Sequence, residues 1–146
     1  MSALTSTIEI ARPQDEVFAF ATDPTHFPDW QGDVVRVDVA EGFRAVVGAR
    51  FTTTRRVGGT ERTMTQEVTE LSHPRRWAVE GVEGPIRPSA SITVEPLDGG
   101  RSRVTFTLDF AGHGVGVALA PMVRKLAAKA APQSYASLKR LLEGSA

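Results

Sequence analysis

The chain has no cysteine among its 146 residues. Disulfides, thiolate metal sites and cysteine nucleophiles are therefore excluded. No segment approaches ~18 consecutive apolar residues, so no integral membrane association is expected. The opening MSALTSTIEIARP has neither the basic region nor the apolar core of an export signal, and the expected location is the cytoplasm. Neither sign of charge is in excess: 17 Lys and Arg balance 17 Asp and Glu. That balance argues against nucleic acid as a partner. The charge is nevertheless uneven, because residues 1–73 carry 7 basic and 11 acidic side chains and residues 74–146 carry 10 and 6. Histidine is scarce. His26, His73 and His113 are isolated, with no two at metal-ligand spacing, so no metal and no other cofactor is expected. The sequence GHGVG at 112–116 lacks the Gly-Lys-Ser/Thr ending of a phosphate loop, and its glycines are read as a strand-to-helix turn. No G-x-S-x-G nucleophile elbow occurs.

What is present is a long series of alternating segments. LTSTIEIA places Leu4, Ser6, Ile8 and Ile10 on one face, a strand pattern. RPQDEVFAFATD follows as a helix, with Pro13 early, Asp15 and Glu16 at the positive end of the dipole, and Val17, Phe20 and Ala21 as the inward stripe. Asp23-Pro24 stops it. PTHFPDWQG has room for only a helical turn or two, yet it holds one of the two Trp residues. From Val34 onward the period is two. DVVRVDVA, ARFTTTRRV, TERTMTQEVTEL, RWAVEGV, SASITVEPL and RSRVTFTLDF read as six more strands rich in Thr and Val. Gly58-Gly59 and Asp98-Gly99-Gly100 mark hairpins, so the sheet is expected to be mainly antiparallel.

The last segment, about 115–142, is helical. Leu119, Val123, Leu126, Ala127, Ala130, Ser134, Leu138 and Leu141 fall on one face. Arg124, Lys125, Lys129, Lys139 and Arg140 fall on the other, which is read as a solvated face. Pro132 is expected to kink this helix near Ala128. The inner face is bulky at both ends and small in the middle, at Ala127, Ala130 and Ser134. That small stretch covers roughly 10 Å of helix. Either the sheet rises to meet this stretch or a space is left there.

Alternation assigns the sheet's inward residues: Phe51, Thr53 and Arg55; Met64, Gln66 and Val68; Trp77 and Val79; Ala90, Ile92 and Val94; Val104, Phe106, Leu108 and Phe110. Arg55 and Gln66 are read as neighbours across the Gly58-Gly59 hairpin. Arg55 either orients a ligand in an apolar pocket or lies at the rim and reaches water. Asp109 is read as outward. The interior thus offers few acid or base groups, with Tyr135 the chain's single tyrosine.

The order of elements, together with STIEIARPQDEVFAFATDPTHFPDWQGDVVRV, VGARF, EVTELSHPRR, ITVEPLDGGRSRVTFTLDF and LKRLLE, resembles the START-like, polyketide cyclase/dehydrase (SRPBCC) superfamily over nearly the whole chain. The resemblance implies an α+β helix-grip fold, one domain over residues 1–146. A seven-stranded, mainly antiparallel curved sheet would wrap around a long C-terminal helix, with two short helices after the first strand. It also implies that Trp30 packs inward beneath those helices. Together the two readings give a binding site for a small hydrophobic or amphipathic ligand. Its apolar wall would be Trp30, Phe51, Met64, Trp77, Ile92, Phe106, Leu108, Leu119, Leu126, Ala130 and Ser134. Arg55, Gln66 and Tyr135 would orient the ligand's polar end. A cyclase/dehydrase-type enzyme and a protein-interaction module with a vestigial cavity are the alternatives.

Overall fold

Alternating Thr- and Val-rich segments pair into one sheet because each buries one face and leaves the other in water. The computed structural model describes residues 3–144. In chain order it has β1 (Leu4–Ile10), α1 (Gln14–Ala21), a 3₁₀ turn (Pro24–His26) and α2 (Phe27–Trp30). Then come β2 (Val34–Val39), β3 (Arg50–Val57), β4 (Thr60–Ser72), β5 (Arg76–Glu83), β6 (Ile86–Leu97), β7 (Arg101–Gly112) and α3 (Gly116–Glu143). The sheet order is β1-β7-β6-β5-β4-β3-β2, and every pairing is antiparallel. The sheet curves around α3, giving the expected helix-grip arrangement.

Two details of register differ from the sequence reading. The β3–β4 loop is Gly58-Gly59, as expected, with both residues at positive φ, as a tight hairpin requires. Val57 therefore pairs with Thr60, and the register carries Arg55 opposite Arg62 and Gln66 opposite Phe51. Arg55 and Gln66 are not neighbours. In addition, β6 begins at Ile86, so Pro88 lies inside the strand, beyond the Glu80–Ser89 end of its pairing with β5.

In α1 the buried residues are Val17, Phe18 and Ala21, with Phe20 half-buried and its ring stacked on His26. Asp23 accepts hydrogen bonds from the Thr25 backbone N–H (3.0 Å) and hydroxyl (2.7 Å), which starts the turn into α2.

The 28-residue α3 runs through both Pro121 and Pro132 without dividing. Its two ends are fixed differently. At the start, Gly116 lies so close to the β5–β6 turn that a Cβ there would stand 1.8 Å from the Pro85 carbonyl oxygen. At the finish, Glu143 accepts from the Ala11 backbone N–H (2.9 Å) and from Lys139 Nζ (2.7 Å), while Arg12 Nε donates to the Leu142 carbonyl (2.9 Å). The Lys139 and Ala11 hydrogen bonds hold the Glu143 carboxyl below its ordinary range. At this end Leu142 is buried, and Leu141, assigned to the inner face, is 41% exposed. Arg124 is not on a solvated face: it forms an ion pair with Asp109, which joins the end of β7 to α3. No described helix is long and apolar enough to cross a membrane.

Candidate functional site

The apolar interior is divided. One cluster contains Trp30, Phe51, Trp77, Ile92, Phe106 and Leu138 among others. A smaller one contains Val57, Met64, Ile86 and Val123, with Leu119 and Leu126 packed against it. On α3, Val123 and Leu126 seat on the small cluster, and Leu138 and Leu142 seat on the large one. The helix between them is Ala127, Ala130, Ala131 and Ser134, whose short side chains do not reach the sheet. A cavity of about 370 Å³ lies there.

Every residue assigned to its wall or its polar end touches this cavity except Leu119. Leu119 lies one turn too early on α3 and packs into the small cluster instead. Trp30 is 3% exposed, carried inward by α2. The Phe27 ring stands edge-on to Trp30 (5.9 Å between centroids), Phe51 (5.8 Å) and Trp77 (6.0 Å). The Tyr135 ring stacks on Phe106 at 3.8 Å with an interplanar angle of 10°, and Phe106 in turn lies 6.2 Å from the Trp30 ring. These rings give the cavity flat apolar walls.

The polar groups divide between mouth and interior. Arg55 Nη1 donates to both carboxylate oxygens of Asp33 (3.2 Å each), and Nη2 donates to Gln31 Oε1 (2.6 Å). This fork ties the α2–β2 connection to β3 at a half-buried edge of the cavity. Deeper in, Gln66 is 4% exposed, and its Nε2 donates to Thr53 Oγ1 (3.2 Å). Gln66 Oε1 and Trp30 Nε1 are buried without a hydrogen-bond partner. Burial pushes the Tyr135 phenol up to about 12, with the Arg55 guanidinium acting the other way. Tyr135 is thus a neutral hydrogen-bonding group near neutral pH, not a base.

Phe27, Gln31 and Asp33 also line the cavity and were not singled out from sequence. The proline-flanked HFPDWQGD segment hid them, since no periodicity reveals which side of so short a helix faces inward. The remaining chemistry is sparse. No group of three or more His, Asp or Glu residues able to hold a metal occurs among the described residues.

A family model described as "Polyketide cyclase / dehydrase and lipid transport" matches residues 1–143. The chain belongs to this family. Among curated proteins, none matches by sequence. Solved structures extend the likeness at the level of fold. The Zhui aromatase/cyclase from Streptomyces sp. R1128 is 16% identical, with 97% of this chain and 93% of that one covered and a TM-score of 0.81. A protein from Thermus thermophilus is 20% identical, with 99% and 100% covered and a TM-score of 0.80. A START superfamily protein from Mycobacterium smegmatis is 15% identical, with 99% of each chain covered and a TM-score of 0.77. The polyketide cyclase/dehydrase and lipid transport family thus accounts for the architecture from β1 to the end of α3. Within this family member, the side chains around the cavity carry the information about its own chemistry.

Proposed function

We propose that the protein binds a small hydrophobic or amphipathic molecule, lipid-like or polyketide-like, in the cavity between the sheet and α3. The observation that carries this reading is the gap between two well-packed clusters, spanned by alanines and a serine. Native interiors seldom leave such a volume unfilled. At about 370 Å³ it falls within the range of small-molecule pockets. Burying ~250 Å² of apolar ligand surface against the aromatic walls would contribute roughly 6 kcal/mol before ordering costs.

A cyclase/dehydrase-type enzyme is the second reading, favoured by the likeness to the Zhui aromatase/cyclase. Acid–base catalysis works best with a group whose pKa lies near the working pH. Tyr135 is displaced to about 12, and Asp33 is engaged by Arg55. Both facts favour holding a ligand over transforming it.

The test is an equilibrium fluorescence titration with 1-anilinonaphthalene-8-sulfonate on the wild type, Arg55→Ala and Tyr135→Phe. Saturable one-to-one binding is expected, weakened a few-fold but retained in both variants. Absence of saturable binding to the folded wild type would sink the proposal. Turnover of a β-keto ester that either variant abolishes would establish the enzyme reading instead.

A further inference from the structure

The outward face of a surface helix ordinarily carries charged and polar side chains of both signs. That of α3 does not. From Phe110 to Leu142 the chain holds no Asp or Glu, while Arg124, Lys125, Lys129, Lys139 and Arg140 are cationic. Three of these are engaged within the fold: Arg124 pairs with Asp109, Lys139 pairs with Glu143, and Arg140 donates to the Ser137 hydroxyl. Lys125 and Lys129 are exposed and form no ion pair or hydrogen bond among the described residues. Around them the face is apolar. Val117 is 64% exposed and Met122 43%, with Pro121 and Ala128 exposed beside them. At about 100° per residue these six side chains fall within an arc of roughly 140°, opposite the buried Val123 and Ser134. Val115, just ahead of the helix, is 78% exposed.

We infer that this face of α3 docks on an anionic lipid bilayer, with Val117 and Met122 entering the headgroup boundary and Lys125 and Lys129 reaching its phosphates. Exposed apolar side chains interspersed with lysine are what an interfacial helix presents. The lysine stems lie along the apolar surface and carry their ammonium groups to the lipid's negative charge. The missing carboxylates matter as much, because an anionic surface repels them. A protein partner fits less well. Protein interfaces are anchored by aromatic residues and Arg and are depleted in Lys. Here the face has no aromatic side chain, and both of its free cations are Lys. A second copy fits no better, since a two-fold contact sets these lysines against their own copies with no acid to answer them. Lys129 and Gln133 are exposed and also line the cavity. Docking therefore sets that edge of the cavity's opening at the lipid surface. The inference goes beyond ligand binding and does not depend on it.

The test is co-sedimentation of the full chain with phosphatidylcholine vesicles, with and without about 30% phosphatidylglycerol. The expected result is binding to the anionic vesicles only, mostly released when salt rises from about 0.05 M to about 0.5 M. Each lysine near such a surface contributes about fivefold, so Lys125→Gln combined with Lys129→Gln should weaken binding about 25-fold. Val117→Ser with Met122→Ser should weaken it at least about fivefold. All four positions are exposed, so thermal melts should match the wild type. Arg36→Gln removes the same charge from the exposed edge strand β2 and should leave binding within about twofold, as only the α3 face is involved. No binding to the anionic vesicles, equal binding to both vesicle types, or full binding by the folded lysine variant would overturn the inference. Two further results would overturn it by giving the face another occupant. One is self-association without vesicles that Val117→Ser and Met122→Ser abolish. The other is capture of polyglutamate as tight as that of the anionic vesicles.

Discussion

Replacing Ala130 by phenylalanine puts a ring where α3 now carries a methyl group. Ala130 is half-buried and lines the cavity. An apolar cavity of ~150 Å³ is enough to hold one benzene ring. The substitution would therefore consume about that much of the 370 Å³ and leave roughly 220 Å³, below the ~300 Å³ at which small-molecule pockets begin. A two-ring probe no longer fits, and its affinity should fall about 100-fold or more, equivalent to ~2.7 kcal/mol. Stability should move the other way or not at all. Phenylalanine costs about 0.5 kcal/mol of helix propensity relative to alanine. Burying ~100 Å² of ring contributes about 2.5 kcal/mol. The assay is the 1-anilinonaphthalene-8-sulfonate titration paired with a thermal melt. A variant that melts at or above the wild-type temperature yet binds the probe with wild-type affinity would refute the reasoning, because the probe would then sit somewhere else. A protein-interaction role with a vestigial cavity makes its own demand: biological activity would survive this substitution intact.

Other perturbations test the parts separately. The chain's single tyrosine makes absorbance at 295 nm report Tyr135 alone; in the folded protein its midpoint should lie near 12, against about 10 when denatured. The unfolded chain then releases this proton first. Stability is expected to be flat in this respect below about pH 10 and to fall as pH rises from there toward 12; a folded-state midpoint near 10 would contradict the burial of the phenol. Gly116→Ala forces a Cβ into the Pro85 carbonyl and should cost about 1–3 kcal/mol, several degrees in Tm for a chain of this size. An unchanged Tm would mean that α3 is not anchored there.

The strands were legible because Thr and Val alternate over long enough runs to leave no competing period. The volume of α3's inner face was legible too: bulky, small, bulky is a pattern in the residues themselves, and it places the cavity. The β3–β4 register was also there to count. Arg55 and Gln66 were read as adjacent only because the pairing was not counted out from the Gly58-Gly59 loop, which sets Val57 against Thr60 and so Arg55 against Arg62. Leu141 was wrongly assigned inward from an ideal wheel, whereas Leu119 does pack inward but outside the cavity wall. Anchoring at Gly116 and Glu143 sets the helix's actual rotation, which buries Leu142 and leaves Leu119 with the smaller cluster. Arg124 was read as solvated and Asp109 as outward, and only the meeting of helix and strand makes them a pair. Asp33 and Gln31 stand in a segment too short to have a period, so their grip on Arg55 had no signal in the sequence.

Native mass spectrometry tests most directly whether this cavity is a ligand site. Wild-type protein and Ala130→Phe would be purified in parallel from the native host. The expected result is a non-covalent small-molecule adduct on the wild type, lost on denaturation and missing from the variant. The same adduct retained in equal amount by both proteins would place the ligand outside the space beneath α3 and contradict the proposal.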